Sequence, residues 1–268
     1  MAHNLIIDII GILKATLSLF LQRQVILVST ILGTIYFAIL ILIFGTIIFV
    51  ALVEAGDGPI AVYEQLIFKY TVITVACSFP LHIPVVQFIK FAVSAEPRPR
   101  LLWGFRITRK ILISAALMHA YALLTFGALY SAQFWFEREV TDSTWFILFI
   151  STPVISILTV IFILPATTFA AHHPASWSAA KRWLFEGGPA MYVSVLLLQW
   201  VIAGPLILPH DTIENYISRL ESQNPEEALT ALAVICLMLF VLSIAAFFIF
   251  LAFPAGYRYW LREEISRS

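Results

Sequence analysis

The chain has 268 residues, of which 61% are hydrophobic and 12% charged, and its 16 Lys and Arg balance 16 Asp and Glu. The charged share is about half that of a soluble domain, which excludes a water-soluble globule, and a net charge of zero gives no footing for nucleic acid. Cys77 and Cys236 both lie in apolar runs, so no disulfide framework is expected, and both read as buried small hydrophobes.

The first segment, 3–22, places Asn4, Asp8, Gly11, Ser18 and Gln22 at helical spacing among Leu5, Ile9, Ile12, Leu13, Leu17 and Phe20. This pattern predicts an amphipathic helix lying in the membrane interface. A seventh span is disfavoured, because Asp8 and Lys14 would each cost about 2.5–3.5 kcal/mol at mid-membrane. Asp8 also argues against a cleaved signal, whose apolar core is short and uninterrupted.

Predominantly uncharged runs follow at 25–53, 70–91, 111–136, 145–169, 189–209 and 228–257. Each reaches the roughly 20 residues that cross a hydrocarbon layer. In lipid each must satisfy its own backbone, so each is predicted as a helix. The fold class is therefore all-α: a polytopic membrane helical bundle of six transmembrane helices plus the interfacial helix, one domain over 1–268.

The connections alternate in charge. Thirteen of the 16 basic residues fall on the side of the termini, 91–110 and 170–186; Arg138 and Arg219 fall on the other, with Lys69 at a helix mouth. The positive side is cytoplasmic, so both ends are expected inside, in a bacterial inner membrane. Trp103, Trp135, Trp145, Trp177, Trp183 and Trp260 sit at predicted helix ends, where amphipathic rings favour the interface; Trp200 is the exception. The outer loops are acidic, and 211–222 has the length for a short helix.

The cytoplasmic stretches resemble one another. Phe91-Ala92 precedes Pro97, Trp103 and Arg106; Phe169-Ala170 precedes Pro174, Trp177, Lys181 and Arg182. With the N-terminal helix they suggest a three-fold repeat of interfacial segment and helix pair. The residues Leu164-Pro165-Ala166, His173-Pro174, Ser176-Trp177, Ala179-Ala180 and Gly187-Gly188 resemble a segment of uncharacterised bacterial six-helix inner-membrane proteins. Those proteins are similar to the membrane domain that precedes some glycerophosphodiester phosphodiesterases. The resemblance implies a span ending at Pro, an amphipathic stretch, and a Gly-containing turn into the next span. It supplies no catalytic residues.

His82 and His119 are the ionisable side chains deep within predicted spans. Each lies about 15 Å from the inner face at about 1.5 Å rise per residue. Two imidazoles at one depth on neighbouring helices are candidate ligands for a haem or chlorophyll-type pigment. The plainer reading is two neutral histidines bonded to nearby hydroxyls or carbonyls, and no cofactor is expected. Pro80 and Pro84 flank His82 and predict a kink, where Ser78, Gln87 and freed carbonyls would line a polar pocket. Pro153, Pro165 and Gly204-Pro205 interrupt other spans. Arg106, Arg109 and Lys110 form a basic cluster suited to anionic lipid headgroups. His172-His173 lacks further ligands at metal-binding spacing.

No catalytic motif and no intramembrane carboxylate pair is present, so an enzyme is not expected. The expected function is that of an accessory or structural subunit acting through membrane lipids and other membrane-protein subunits. The alternatives are a transporter or lipid-handling protein using the Pro-broken helices, and a pigment carrier using His82 and His119.

Overall fold

A computed structural model of the chain describes residues 5–55, 60–93, 107–139, 144–170, 177–207 and 225–267. These residues form eight α-helices and no strand: α1 (Leu5–Phe20), α2 (Arg23–Ala55), α3 (Ile60–Cys77), α4 (Phe79–Val93), α5 (Arg109–Glu139), α6 (Thr144–Ala170), α7 (Trp177–Ile207) and α8 (Pro225–Arg267). The apolar runs become helices because lipid offers no partner to an open backbone. Hydroxyls are absorbed the same way. Thr16, Thr71, Thr167 and Thr168 each donate to the carbonyl four residues back, at 2.8, 2.8, 2.8 and 3.1 Å.

Among the described residues, four helices are by themselves long and apolar enough to cross a membrane: Arg23–Ala51, Arg109–Ala128, Thr152–Ala170 and Trp177–Val201. Gln65–Cys77 and Phe79–Val93, bent by 49° at one break, add a fifth if counted together. The protein is therefore a multi-pass membrane protein with an all-helical fold.

Two elements differ from expectation. The span predicted over 70–91 begins earlier and is two helices, α3 and α4, parted at Ser78. Pro80 has no N–H for the carbonyl one turn back, which favours a break there. The Ser78 hydroxyl and N–H instead both donate to the Val75 carbonyl, at 2.7 and 3.2 Å. Pro84 lies inside α4 without ending it. The second difference is at Gly187-Gly188, expected as a turn. Here α7 runs unbroken through both glycines. At Gly187 the lack of a side chain serves packing: a Cβ there would lie 2.7 Å from the Trp183 indole, whereas one on Gly188 would make an ordinary contact, 3.9 Å from Val160 of α6.

The pairs α5–α6 and α7–α8 run antiparallel. Ser114, near the start of α5, bonds the Ala166 carbonyl near the end of α6. Trp183, near the start of α7, meets Tyr257 and Trp260 near the end of α8, and Gly33 of α2 meets Ile244 of α8. The segments bearing Lys14, Arg23, Lys90, Arg109, Lys110, Lys181, Arg182, Arg258 and Arg262 thus gather at one end, hereafter the basic end.

The core sits toward that end. Val86, Phe88 and Ile89 of α4, Ile163 and Leu164 of α6, Met191 and Val195 of α7, and Leu251 to Phe253 of α8 are wholly buried. By contrast, only 11% of the most apolar stretch of α2 is buried. Cys77, expected to be buried, is exposed at the end of α3, and Cys236 is partly exposed; both are free.

The N-terminal segment is a helix with one buried and one exposed side. Ile12, Thr16 and Leu19 are buried against α7 and α8, whereas Ile6, Ile7, Leu17 and Leu21 are exposed. Asp8 and Gly11 lie on the buried side too, facing Tyr259 of α8. One helix thus faces protein on one side, a polar contact included, and leaves apolar side chains exposed on the other.

Candidate functional site

The break at Ser78 positions the first candidate site. Ser78 presents its carbonyl to the start of α4, where Leu81 N–H and His82 Nδ1 both reach it, at 2.9 and 3.1 Å. His82 is thereby fixed across the break, and its ring also reaches the Met118 carbonyl of α5. The next residue on α5 is His119. The two imidazoles are in contact, with ring centroids 5.4 Å apart and planes at 79°. Phe79 closes another side of His119, 5.8 Å away and perpendicular. His119 Nδ1 is buried and unpaired, as is Gln87 Nε2 on α4.

This arrangement is closed as packed. A haem or chlorophyll-type macrocycle held by both rings needs a nitrogen of each directed at one metal. Here the rings meet edge to face with centroids 5.4 Å apart, and Phe79 packs perpendicular to His119. Seating a macrocycle would require the pair to part. Among the described residues no group of three or more His, Cys, Asp or Glu could hold a metal ion.

Beyond the pair, hydroxyls link α5, α6 and α7. Thr159 Oγ1 lies 3.0 Å from the Tyr121 hydroxyl and donates to the Ile155 carbonyl at 2.6 Å. Ser156 Oγ lies 2.5 Å from Gln199 Oε1 and 2.8 Å from the Thr152 carbonyl. Ser114 Oγ lies 2.9 Å from the Ala166 carbonyl and 3.0 Å from that of Lys110, so its single proton serves one at a time. Such bonds hold membrane helices in register, at about 0.6 kcal/mol each on average.

A second candidate lies at the basic end, where α1, α7 and α8 meet around a small groove with room for little more than one water-sized group, about 20 Å³. Asp8 comes from α1, Trp183, Glu186 and Gly187 from α7, and Gly256, Tyr259 and Trp260 from α8. The Tyr259 hydroxyl donates to Asp8 Oδ1 at 3.2 Å. Gly11 lets α1 approach, since a Cβ there would fall 2.4 Å from the Tyr259 ring. Arg182 donates from Nε to Glu186 at 3.0 Å, and its guanidinium lies 5.7 Å from the centre of the Trp260 ring. Arg258 is half-buried; burial and the neighbouring Arg262 lower its affinity for a proton.

The structure thus brings His82 and His119 together. It places Arg109 and Lys110 exposed at the start of α5, after Thr108, whose hydroxyl caps the helix by accepting from Ile111 N–H at 3.4 Å. Arg106, Trp103, His172-His173 and the stretch 211–222 lie outside the described residues. The groove was not anticipated. Its only signal in the sequence is Asp8 in an apolar helix, legible as a cost rather than as half of a site. No protein-family model, no curated protein and no solved structure matches the chain.

Proposed function

We propose that the chain is a non-enzymatic, six-span protein of the bacterial inner membrane, with the basic end cytoplasmic, acting as an accessory subunit of a larger membrane assembly. In this reading α8 is the sixth span, and the repeat and the likeness to the six-helix inner-membrane family belong to the same proposal. The observation that carries it is α2. This 33-residue helix, about 50 Å long by its rise, leaves most of its apolar surface uncovered. Leu42, Phe49 and Val53 are exposed beside Gly45, at which an added Cβ would meet nothing within 4 Å. Such a face is covered by lipid tails or by a partner helix, and close approach at a small residue favours the helix.

Mild detergent extraction followed by native electrophoresis tests this. A species well above 30.1 kDa, reduced by Gly45→Leu, is expected. Migration as a free monomer overturns the subunit role. The orientation is read from single cysteines at Lys14→Cys and Glu54→Cys, with Cys77 and Cys236 replaced by Ser. Membrane-impermeant maleimide should reach position 54 from outside and position 14 only after the membrane is opened.

A second reading, a transporter or lipid-handling protein, is favoured by the broken span at Ser78 and the unpaired His119 Nδ1, whose ring meets Phe79 and His82 just past the break. Broken helices beside unpaired polar groups are how membrane transporters build sites. Labelling of Ser78→Cys by a small aqueous thiol reagent from both sides of the membrane supports this reading; protection from both sides removes it.

A further inference from the structure

We propose that His82 and His119 form a mid-membrane binding site for one proton, which the two rings hold between them. The role of that proton as a coupling ion rests on the transport reading; the site itself does not. The rings belong to α4 and α5 and are in contact, with centroids 5.4 Å apart. His82 Nδ1 faces the Ser78 carbonyl at 3.1 Å. A carbonyl only accepts, so that nitrogen carries a hydrogen, and the lone pair of the neutral ring is on Nε2, the atom left to take a proton. On His119, Nδ1 is buried without a partner. Intramembrane ionisable groups mark proton and ion routes because they are costly to keep there for packing alone.

The surroundings suit one positive charge and not two. The Ser78 carbonyl at the break and the Met118 carbonyl of α5 both reach the His82 ring. Carbonyl oxygens favour the ring form that carries more N–H. Two imidazolium charges in contact would repel, in surroundings far less polarisable than water. Among the described residues, no Asp or Glu lies in the membrane-spanning stretches around the pair to compete for the proton. α6 has no ionisable side chain, and α8 has only Cys236 between Glu227 and Tyr257. α3 adds Cys77 beside the break, with Tyr70 and Lys69 farther back. α5 adds Tyr121, whose hydroxyl meets Thr159, and Lys110 about 13 Å along the helix; α4 adds Lys90, about 12 Å along. The charge whose field reaches His82 is that of His119. A proton gained or lost here also alters the bond from His82 to Ser78, which ties α4 to the break.

The test uses the full chain in liposomes with isotope-labelled histidine. Solid-state NMR follows the imidazole nitrogens from about pH 4 to 9, a window around the ordinary imidazole value of about 6.5, and His82→Gln and His119→Gln assign them. The pair should take up its protons in two steps parted by about one pH unit or more, the first registered on both rings. Removing either histidine should move the midpoint of the other by a similar amount. His119 Nδ1 has no bond to lose, so His119→Gln keeps the fold if His82→Gln does not, and either variant decides. Rings that titrate independently, with midpoints unmoved in the variants, or that stay neutral throughout, overturn the proposal. Thiol labelling of Ser78→Cys, with Cys77 and Cys236 replaced by Ser, separates the site from the transport reading. A coupled titration with position 78 protected from both sides at every pH keeps the proton site and removes transport. Labelling from both sides with uncoupled histidines keeps transport and overturns the proton site.

Discussion

The glycines of the basic end and those of the far half of the bundle occupy opposite environments. At the basic end, a Cβ added to Gly11, Gly187 or Gly256 would lie 2.4, 2.7 or 2.5 Å from a neighbouring side chain. At Gly45 of α2 and Gly127 of α5 it would meet nothing within 4 Å. The same residue thus permits close packing in one half and leaves an open surface in the other. Apolarity alone does not separate the two halves, since both are rich in Ile, Leu and Phe. What distinguishes the basic end is small residues opposite large ones. Without a hydrophobic force between helices in lipid, those are the contacts that hold a bundle together.

Substitutions sharpen that contrast. Trp183→Ala should cost most, about 3–5 kcal/mol, because a wholly buried ring is removed from contact with Tyr257 and Trp260. Phe49→Ala, on the exposed face of α2, should change stability by no more than about 0.5 kcal/mol. Reversible unfolding in mixed micelles reads both, and equal losses would abolish the distinction between the halves. Gly256→Val should cost about 1–3 kcal/mol by overpacking against Met191. Gly45→Val should leave the midpoint within about 0.5 kcal/mol of the parent. Ser114→Ala should cost about 0.6 and at most about 1.7 kcal/mol, the span of interhelical bonds in membrane proteins. Smallest is Thr46→Val: its hydroxyl donates only to the Leu42 carbonyl of its own helix, so an effect within about 0.5 kcal/mol is expected. A loss at Thr46 as large as that at Ser114 would mean that α2 is covered after all.

Much of the architecture is legible along the chain because it follows from local rules. Uncharged length marks the helices, and the alternating basic loops mark one end. Counting residues from Lys90 and Lys110 puts His82 and His119 at one depth. Counting does not give the rotation of each helix, so their contact required the packed structure. Pro80 signals a kink, yet the position of the break depends on Ser78 bonding Val75. At Gly187-Gly188 the local rule misleads, since glycine marks turns and close packing alike. The groove is the least legible feature, for its walls come from residues 8, 183–187 and 256–260, joined only by tertiary contact.

The 43 residues of α8 give it a length of about 65 Å, twice the hydrocarbon thickness of about 30 Å. It packs against α1, α2, α4, α6 and α7. It is also synthesised after all of them. Until Leu251 to Tyr257 have emerged and docked, the earlier helices lack the surface on which they converge. Assembly thus has a built-in order: insertion proceeds span by span, but the core closes in one late step. An interrupted chain ending before residue 250 would be inserted yet unlocked, and therefore recognisable to membrane proteases as unfinished.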